Sequence, residues 1–100
     1  MEPLAALADP TRQRIVEMLA KGALSSGDIA SRFEMSAPAI SQHLKTLRQA
    51  KLVRVRAEAQ RRIYELDREG VEELSLWVDH IKRFWTRKLD ALEEQLRRQP

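Results

Sequence analysis

Two short amphipathic segments, residues 26–33 and 36–47, follow each other with only Glu34 and Met35 between them. Apolar residues recur in both segments at spacings of three and four, which predicts helices. A connection this short makes the two helices neighbours joined by a tight turn. The pair is typical of a helix-turn-helix, and this arrangement restricts the possible folds more than any other feature of the chain.

The second of these segments has two chemically different faces on a helical wheel. One narrow stripe is apolar and consists of Ile40, Leu44 and Leu47. The opposite side carries Pro38, Gln42 and Lys45. A helix that enters a DNA groove needs this division, because its back packs on a core while short polar side chains reach base edges. An ordinary amphipathic surface helix has the same periodicity, so the neighbouring segments must decide between the two.

Helix-start signals precede the two segments, and Ser36 is the expected N-cap of the second segment. Residues 4–8 form a short apolar piece, which predicts a first helix that is stable only when docked. Asp9 and Pro10 then predict an N-cap and the first position of a second helix. Ser25 and Asp28 fit a capping box, in which each side chain accepts a hydrogen bond from the other's backbone N–H.

The periodicity changes after residue 47. Residues 52–56 and 61–66 are β-favouring runs separated by residues 57–60, which predicts a two-stranded hairpin. Residues 51–66 contain five basic and two acidic side chains, whereas the segments before and after them are nearly balanced. A local basic excess of this kind indicates a polyanionic partner.

The remaining sequence, residues 68–98, has helical periodicity and contains no proline. A helix of about 30 residues is roughly 45 Å long, too long for a small core to cover. Its apolar seam consists of Leu74, Val78, Ile81, Trp85, Leu89, Leu92 and Leu96, and Val71, Trp77 and Phe84 widen it. This coiled-coil-like spacing predicts a homodimer, with Leu4 and Leu7 of the first helix contributing.

Length and composition set further limits. One hundred residues fit a single domain, 1–100, in which 68–98 is the dimerisation helix. With 43% hydrophobic and 33% charged residues, a soluble folded domain is expected. Zero cysteines exclude disulfides and thiolate metal sites. No apolar run is long enough to span a bilayer and no signal peptide is apparent, so we expect a cytoplasmic protein without a membrane partner.

Four motifs occur in order along the chain: LADPTRQRIVEML, ALSSGDIASRF, MSAPAISQHLKTLRQAKLV and RRIYEL. Together they resemble the ArsR (ArsR/SmtB) family of bacterial and archaeal repressors, over residues 4–66. The resemblance implies a mainly α winged helix-turn-helix with five helices and a two-stranded wing. It also implies a homodimer that binds an imperfect inverted repeat of double-stranded DNA in its own operator and blocks transcription.

The resemblance also implies roles for individual residues. Ser41 and Gln42 match positions that meet the major groove, and Lys45 matches a position near the DNA backbone. Their chemistry agrees, because glutamine pairs bidentately with adenine and lysine suits phosphate or guanine. His43 has two interpretations, a structural hydrogen bond at the core edge or a phosphate contact. The candidate DNA-binding residues are Ser36, Ala37, Pro38, Ser41, Gln42, His43, Lys45, Arg54, Arg56, Gln60, Arg61 and Arg62.

The chain departs from the family pattern at several positions. The cysteines of metal-sensing members are absent at residues 24–28. Adjacent residues project about 100° apart on a helix, so Asp79 and His80 are poorly placed to hold one ion, and we expect neither a metal nor another cofactor. Where relatives often have glycine, this chain has Glu34, Lys51 and Ala59. Positive φ at these residues would carry strain.

Two other functions remain open from the sequence. Trp77, Phe84 and Trp85 would line an apolar pocket at the dimer seam in a small-molecule sensor, although aromatic residues at helical spacing more often fill a core. Alternatively, the last helix would bind a different protein in an interaction module. An enzyme is not expected, because the chain has no glycine-rich phosphate loop and no nucleophile paired with a base.

Overall fold

The computed structural model describes residues 2–98. Over this range the elements are α1 (Glu2–Ala6), α2 (Pro10–Ala20), β1 (Leu24–Ser25), α3 (Ser26–Ala30), α4 (Ala37–Gln49), β2 (Val53–Glu58), β3 (Arg61–Leu66) and α5 (Arg68–Arg98). The predicted mainly helical fold with five helices and a β-hairpin is therefore confirmed.

Side-chain caps begin α2 and α4 where the sequence predicts them. The Asp9 carboxylate accepts a hydrogen bond from the backbone N–H of Arg12 at 3.0 Å, and Pro10 is the first residue of α2. The Ser36 hydroxyl accepts one from the N–H of Ala39 at 3.3 Å. Both caps have extended backbone, which fixes the direction in which the chain enters each helix.

Two short helices differ from their predicted ranges. The first helix ends at Ala6 and not at residue 8, since Asp9 must be extended to cap α2. The third ends at Ala30 instead of continuing to Phe33, and a turn follows. The Ser25 hydroxyl accepts from the N–H of Asp28 at 3.1 Å, but the Asp28 carboxylate faces the hairpin, so only half of the predicted capping box forms within residues 2–98.

The sheet has three antiparallel strands in the order β1-β3-β2. The predicted hairpin is formed by β2 and β3, with Val53 opposite Leu66 at its base and Glu58 opposite Arg61 at its tip. Strand β1 was not predicted. It pairs Leu24 with Tyr64, and a strand of two residues is too short to show alternation in the sequence.

The core lies between α2, α3, α4 and the base of the hairpin. The most deeply buried side chains are Ile15, Ile29, Ile40, Leu44, Leu47, Leu52 and Val53. The apolar stripe predicted on α4 is therefore buried. The stripe continues through Ala50 and Leu52 into β2, so the core holds both α4 and the base of the hairpin.

Left-handed backbone occurs just after α4 and in the turn of the hairpin. Lys51 has φ 61° and Ala59 has φ 56°, so two of the three residues that stand where relatives often have glycine have positive φ. Glu34, in the turn before α4, does not have positive φ. At the start of α5, Gly70 lies against Lys51, where an added Cβ would be 1.7 Å from the carbonyl oxygen.

Helix α5 leaves the domain after its first two turns. Val71 and Leu74 pack on the core, and beyond them most of the helix projects, giving the molecule extents of 70 × 27 × 22 Å. No helix within residues 2–98 is long and apolar enough to cross a membrane.

Candidate nucleic-acid interface

The outer face of α4 presents three exposed polar side chains. Gln42 and Lys45 lie on the side opposite the buried stripe, and Ser41 lies beside it. Within residues 2–98, none of the hydrogen bonds or ion pairs uses these side chains. Their donors and acceptors are therefore free to bind groups outside the chain, on a helix whose position the core fixes.

The N-terminal turn of α4 is also exposed. Ser36, Ala37 and Pro38 are all accessible, and Pro38 lies where its missing N–H leaves no bond unmade. The backbone N–H groups of a helix N-terminus carry partial positive charge. This end of α4 is therefore suited to approach a phosphate backbone.

His43 lies at the edge of the core and is in hydrogen-bond contact with Arg12 within the protein, and a phosphate contact of this residue stays a prediction. Its Nδ1 atom is 3.1 Å from the Arg12 Nη1 atom and 4.0 Å from Asp9 Oδ2, and 20% of its side chain is exposed. The hydrogen bond from the backbone N–H of Arg12 lowers the pKa of Asp9, partial desolvation opposes this effect, and the charges of His43 and Arg12 lower the pKa further.

Most arginines of the hairpin have acidic neighbours. Arg54 Nε donates to Glu65 at 2.9 Å, Arg56 Nη1 donates to Glu58 at 2.7 Å, and Arg61 Nη2 is 3.3 Å from an Asp28 oxygen; their side chains are 50–64% exposed. Exposed pairs of this kind contribute little stability, so a phosphate can replace the carboxylate at small cost.

Two candidate residues of the hairpin differ from these three. Arg62 is exposed and takes part in no ion pair among the described residues. Gln60 is exposed in the turn at the tip of the hairpin. Together with the bonded arginines they give the hairpin an accessible basic surface, while its base is anchored by the core.

The predicted dimerisation residues occupy different environments in the single chain. Leu7 and Leu74 are half-buried against the chain's own core, and Ile81 is half-buried. Leu4 is 39% exposed. The exposed apolar members of the α5 seam are Val78, Trp85, Leu89, Leu92 and Leu96. The second half of the seam therefore has no cover in the single chain.

The three aromatic residues proposed for a pocket at the dimer seam do not share a cavity in the single chain. A surface cavity of about 300 Å³ on α5 is lined by His80, Phe84, Arg87 and Lys88. Trp77 and Trp85 do not line it, and Trp85 packs edge-on against Phe84 with centroids 5.9 Å apart. No group of three or more potential ligands within residues 2–98 is arranged to hold a metal ion.

Sequence reasoning missed the role of Arg12. Its Nε atom donates to the carbonyl oxygen of Ala6 at 2.6 Å while its Nη1 atom reaches His43. The residue belongs to a segment that the sequence assigns to a helix start, and no local periodicity reports a contact across 31 positions.

A helix-turn-helix whose second helix has an exposed polar face, followed by a basic hairpin anchored on the same core, defines a winged helix-turn-helix DNA-binding domain. The sequence pattern of the group described as "Bacterial regulatory protein, arsR family" matches residues 9–55. The chain belongs to the arsR family and is a transcriptional regulator.

Individual relatives support this assignment. The HTH-type transcriptional regulator Rv2034 of Mycobacterium tuberculosis is 50% identical over 84% of this chain and 76% of its own length. The transcriptional repressor SdpR of Bacillus subtilis is 36% identical over 73% of this chain and 81% of its own length. A similar fold is found in the solution structure of a homodimeric winged helix-turn-helix DNA-binding domain from Mycobacterium bovis, which is described as a possible ArsR-family transcriptional regulator. The match has a TM-score of 0.67 and 29% sequence identity, and it covers 82% of this chain and 76% of that chain. Rv2034 and SdpR are named as transcriptional regulators and the domain from Mycobacterium bovis as a possible one, and none of the three is named as an enzyme.

Proposed function

We propose that the protein is a homodimeric repressor that binds an imperfect inverted repeat of double-stranded DNA overlapping its own promoter. The observation that carries the proposal is the exposed and unbonded polar face of α4, which lies opposite a stripe buried in the core. This arrangement leaves side chains of base-reading chemistry on a helix with a fixed orientation.

Different side chains have different tasks in this proposal. Ser41 and Gln42 bind base edges in the major groove, and Gln42 has the amide needed for a bidentate bond to adenine. Lys45 and the exposed N-terminal turn of α4 bind the DNA backbone. The arginines of the wing bind phosphates or enter the adjacent minor groove, with Arg62 needing to break no ion pair found within residues 2–98.

The uncovered seam of α5 supports self-association. Trp85 is 57% exposed, and Leu89 and Leu96 are each 61% exposed in the single chain. Burying apolar surface of this kind is favourable by about 25 cal/mol per Å². The related domain from Mycobacterium bovis is described as a homodimer, which agrees with a second copy as the partner.

The charges along α5 favour an antiparallel pair of helices. Residues 68–79 contain four acidic side chains and one basic, whereas residues 80–88 contain four basic and none acidic. Parallel helices would place like charges beside each other, but antiparallel helices that cross near residue 80 place acid beside base. In that arrangement Glu73 of each copy lies beside Lys88 of the other, since both residues flank the seam on the same side.

Charge exchange tests this arrangement. Glu73→Arg should weaken the dimer in sedimentation experiments. The twofold dimer contains this contact twice, and at each one the substitution places two basic side chains beside each other. Adding Lys88→Glu should restore association. The two positions are about 22 Å apart along one helix, so restoration requires contact between chains. A stable wild-type monomer at micromolar concentration would contradict self-association, and lack of restoration would contradict the proposed crossing.

A dimer with twofold symmetry reads an inverted repeat, and its two copies of α4 should be about 34–36 Å apart to enter successive turns of the major groove. The repressor direction agrees with the name of the related SdpR protein. A dimer seated across a promoter blocks transcription by occupying the site itself.

Selection of bound duplexes from random DNA tests the proposed function directly. We expect two related half-sites whose centres are about one helical turn apart. Anisotropy with the selected duplex should show that Gln42→Ala weakens binding by about 1–3 kcal/mol and relaxes the sequence preference at one base pair. Gln95→Ala removes the same side chain from the exposed far end of α5 and should leave affinity unchanged.

Failure to select any sequence would refute sequence-specific binding. If binding were specific but unaffected by Gln42→Ala and Ser41→Ala, the groove assignment of α4 would be wrong. For the repressor direction, transcription from a promoter containing the selected repeat should fall as protein is added, and a rise would identify an activator.

A further inference from the structure

One side chain links three helices of the domain. The Arg12 guanidinium, in the first turn of α2, donates from Nε to the carbonyl oxygen of Ala6 at the end of α1 at 2.6 Å. It also reaches His43 in the middle of α4, with 3.1 Å between Nη1 and Nδ1. The contact therefore joins α1 to the helix that carries the base-reading residues.

Helix α1 needs such a link. With five residues it is too short to be stable alone, so its position depends on tertiary contacts. Two side chains of α2 donate to carbonyl groups at the end of α1. Arg12 donates to Ala6, the last residue of α1, and Gln13 donates to Leu7, the next residue, at 2.7 Å. Of these two, only Arg12 also contacts α4.

The contact selects one tautomer of the neutral His43 ring. Arginine is only a donor, so the Nδ1 atom of His43 must accept, and the neutral ring must carry its proton on Nε2. A doubly protonated ring has no acceptor for Arg12 and places a second positive charge 3.1 Å from it. The charged groups that face His43 are Arg12 and Asp9, both at the start of α2, while its neighbours Ala39 and Leu47 on α4 are uncharged.

We infer that Arg12 is a positioning residue for DNA recognition, which ties α4 to α1 through His43, and that protonation of His43 releases the tie. On protonation Nδ1 gains a proton, so Arg12 loses its acceptor, and the new N–H has the Asp9 carboxylate oxygen 4.0 Å away as its acidic neighbour. Histidine side chains in general change charge between about pH 5 and pH 8, and the test therefore compares two pH values at the ends of this interval. The inference rests on the proposed function of α4.

The test measures a ratio of affinities, that for the selected duplex divided by that for a scrambled duplex, by anisotropy at about pH 8 and pH 5.5. A new positive charge on His43 strengthens binding to both duplexes, whereas a small misorientation of α4, whose back stays packed on the core, weakens only the specific complex. We expect the wild-type ratio to fall about fivefold or more on acidification, the effect of losing one hydrogen bond.

Three variants test whether the pH dependence of the affinity ratio comes from the contact between Arg12 and His43. Arg12→Lys keeps the charge but lacks the fork that makes both bonds, so it should lower the ratio at pH 8 to near the acidic value. His43→Gln keeps an acceptor for Arg12 and does not titrate, so the ratio should not depend on pH. Arg14→Lys changes the same residue type in α2, where the guanidinium lies 4.5 Å from the Phe33 ring, and should leave the ratio at its wild-type value.

Nitrogen NMR of the free protein gives an independent reading. Near pH 8, His43 should be the Nε2–H tautomer in the wild type, and Arg12→Lys should abolish that preference. The chain has two histidines, so His80→Gln identifies the second set of signals. A wild-type ratio that does not change with pH, equal effects of Arg12→Lys and Arg14→Lys, or an Nδ1–H tautomer would each overturn the inference. Absence of selective DNA binding would instead refute the proposed function, while the tautomer would still report the contact.

Discussion

Replacement of Gly70 by alanine tests the most crowded backbone contact in the domain. Gly70 lies in the first turn of α5, where helix propensity alone predicts that alanine stabilises by about 1 kcal/mol. The structure predicts the opposite sign. An alanine Cβ would lie 1.7 Å from the carbonyl oxygen of Lys51 and 2.8 Å from its carbonyl carbon, and neither backbone atom can turn aside as a side chain would.

The cost follows from the distance that must open. Ordinary contact begins near 3.4 Å, so α5 and the turn must separate by about 1.7 Å. This strains the hydrogen bond from Asp67 N–H to Leu52 O, now 2.9 Å, which joins α5 to the start of β2. Overpacking costs about 1–3 kcal/mol and the hydrogen bond contributes about 1 kcal/mol. After the gain in helix propensity, Gly70→Ala should destabilise by about 2 kcal/mol or more.

Thermal unfolding at one fixed protein concentration measures the effect, since dimerisation makes Tm depend on concentration. A loss of about 2 kcal/mol lowers Tm by roughly 8–16 °C in a chain of this size. Gly27→Ala is the matched control, because its Cβ would meet only Ser25 Oγ at 4.0 Å, and it should stabilise by about 0.5 kcal/mol. If Gly70→Ala melted at or above the wild-type temperature, the close packing of α5 on the turn would be refuted.

Three further predictions concern charge and exposure. Arg62→Ala should reduce the slope of log affinity against log salt by about 0.9, more than Arg54→Ala, whose side chain already pairs with Glu65; equal slopes would contradict a phosphate contact. Because the pKa of Asp9 is lowered on folding, its carboxylate stabilises the protein above the unfolded pKa of about 3.9, and this stabilisation is lost as pH falls through the lower folded pKa. Asp9→Asn should therefore reduce Tm near pH 6 but much less near pH 3. An equal reduction at both pH values would show that the negative charge of Asp9 is not the source of the stabilisation. Finally, tryptophan emission should shift to shorter wavelength as protein concentration rises, since Trp85 is 57% exposed in one chain; an unchanged spectrum across dimerisation would place Trp85 outside the interface.

The features predictable from sequence are those that depend on nearby residues. A cap acts over three positions, so Asp9 and Ser36 mark the starts of α2 and α4 correctly. The stripe of Ile40, Leu44 and Leu47 is buried because helical spacing alone places them on one side. The polar face of α4 follows from the same spacing, which is why its candidate residues lie together on an exposed surface.

The features that sequence reasoning missed depend on contacts between distant segments. Strand β1 exists because Leu24 meets Tyr64, 40 positions away. The Asp28 carboxylate faces Arg61 instead of completing a capping box, since the hairpin lies beside α3. The same holds for Arg12 and His43, whose contact requires the packed arrangement of α1, α2 and α4.

The left-handed backbone of Lys51 and Ala59 has a consequence for the unfolded chain. A side chain in this conformation costs about 1 kcal/mol in the folded state, which glycine would avoid. Glycine, however, gives the unfolded chain more conformational freedom, and this extra entropy costs a similar 0.4 to about 1 kcal/mol on folding. The two effects nearly cancel, so both turns can hold a left-handed residue without glycine. At such positions the choice of residue is nearly neutral for stability and is set by what its side chain contributes at the surface.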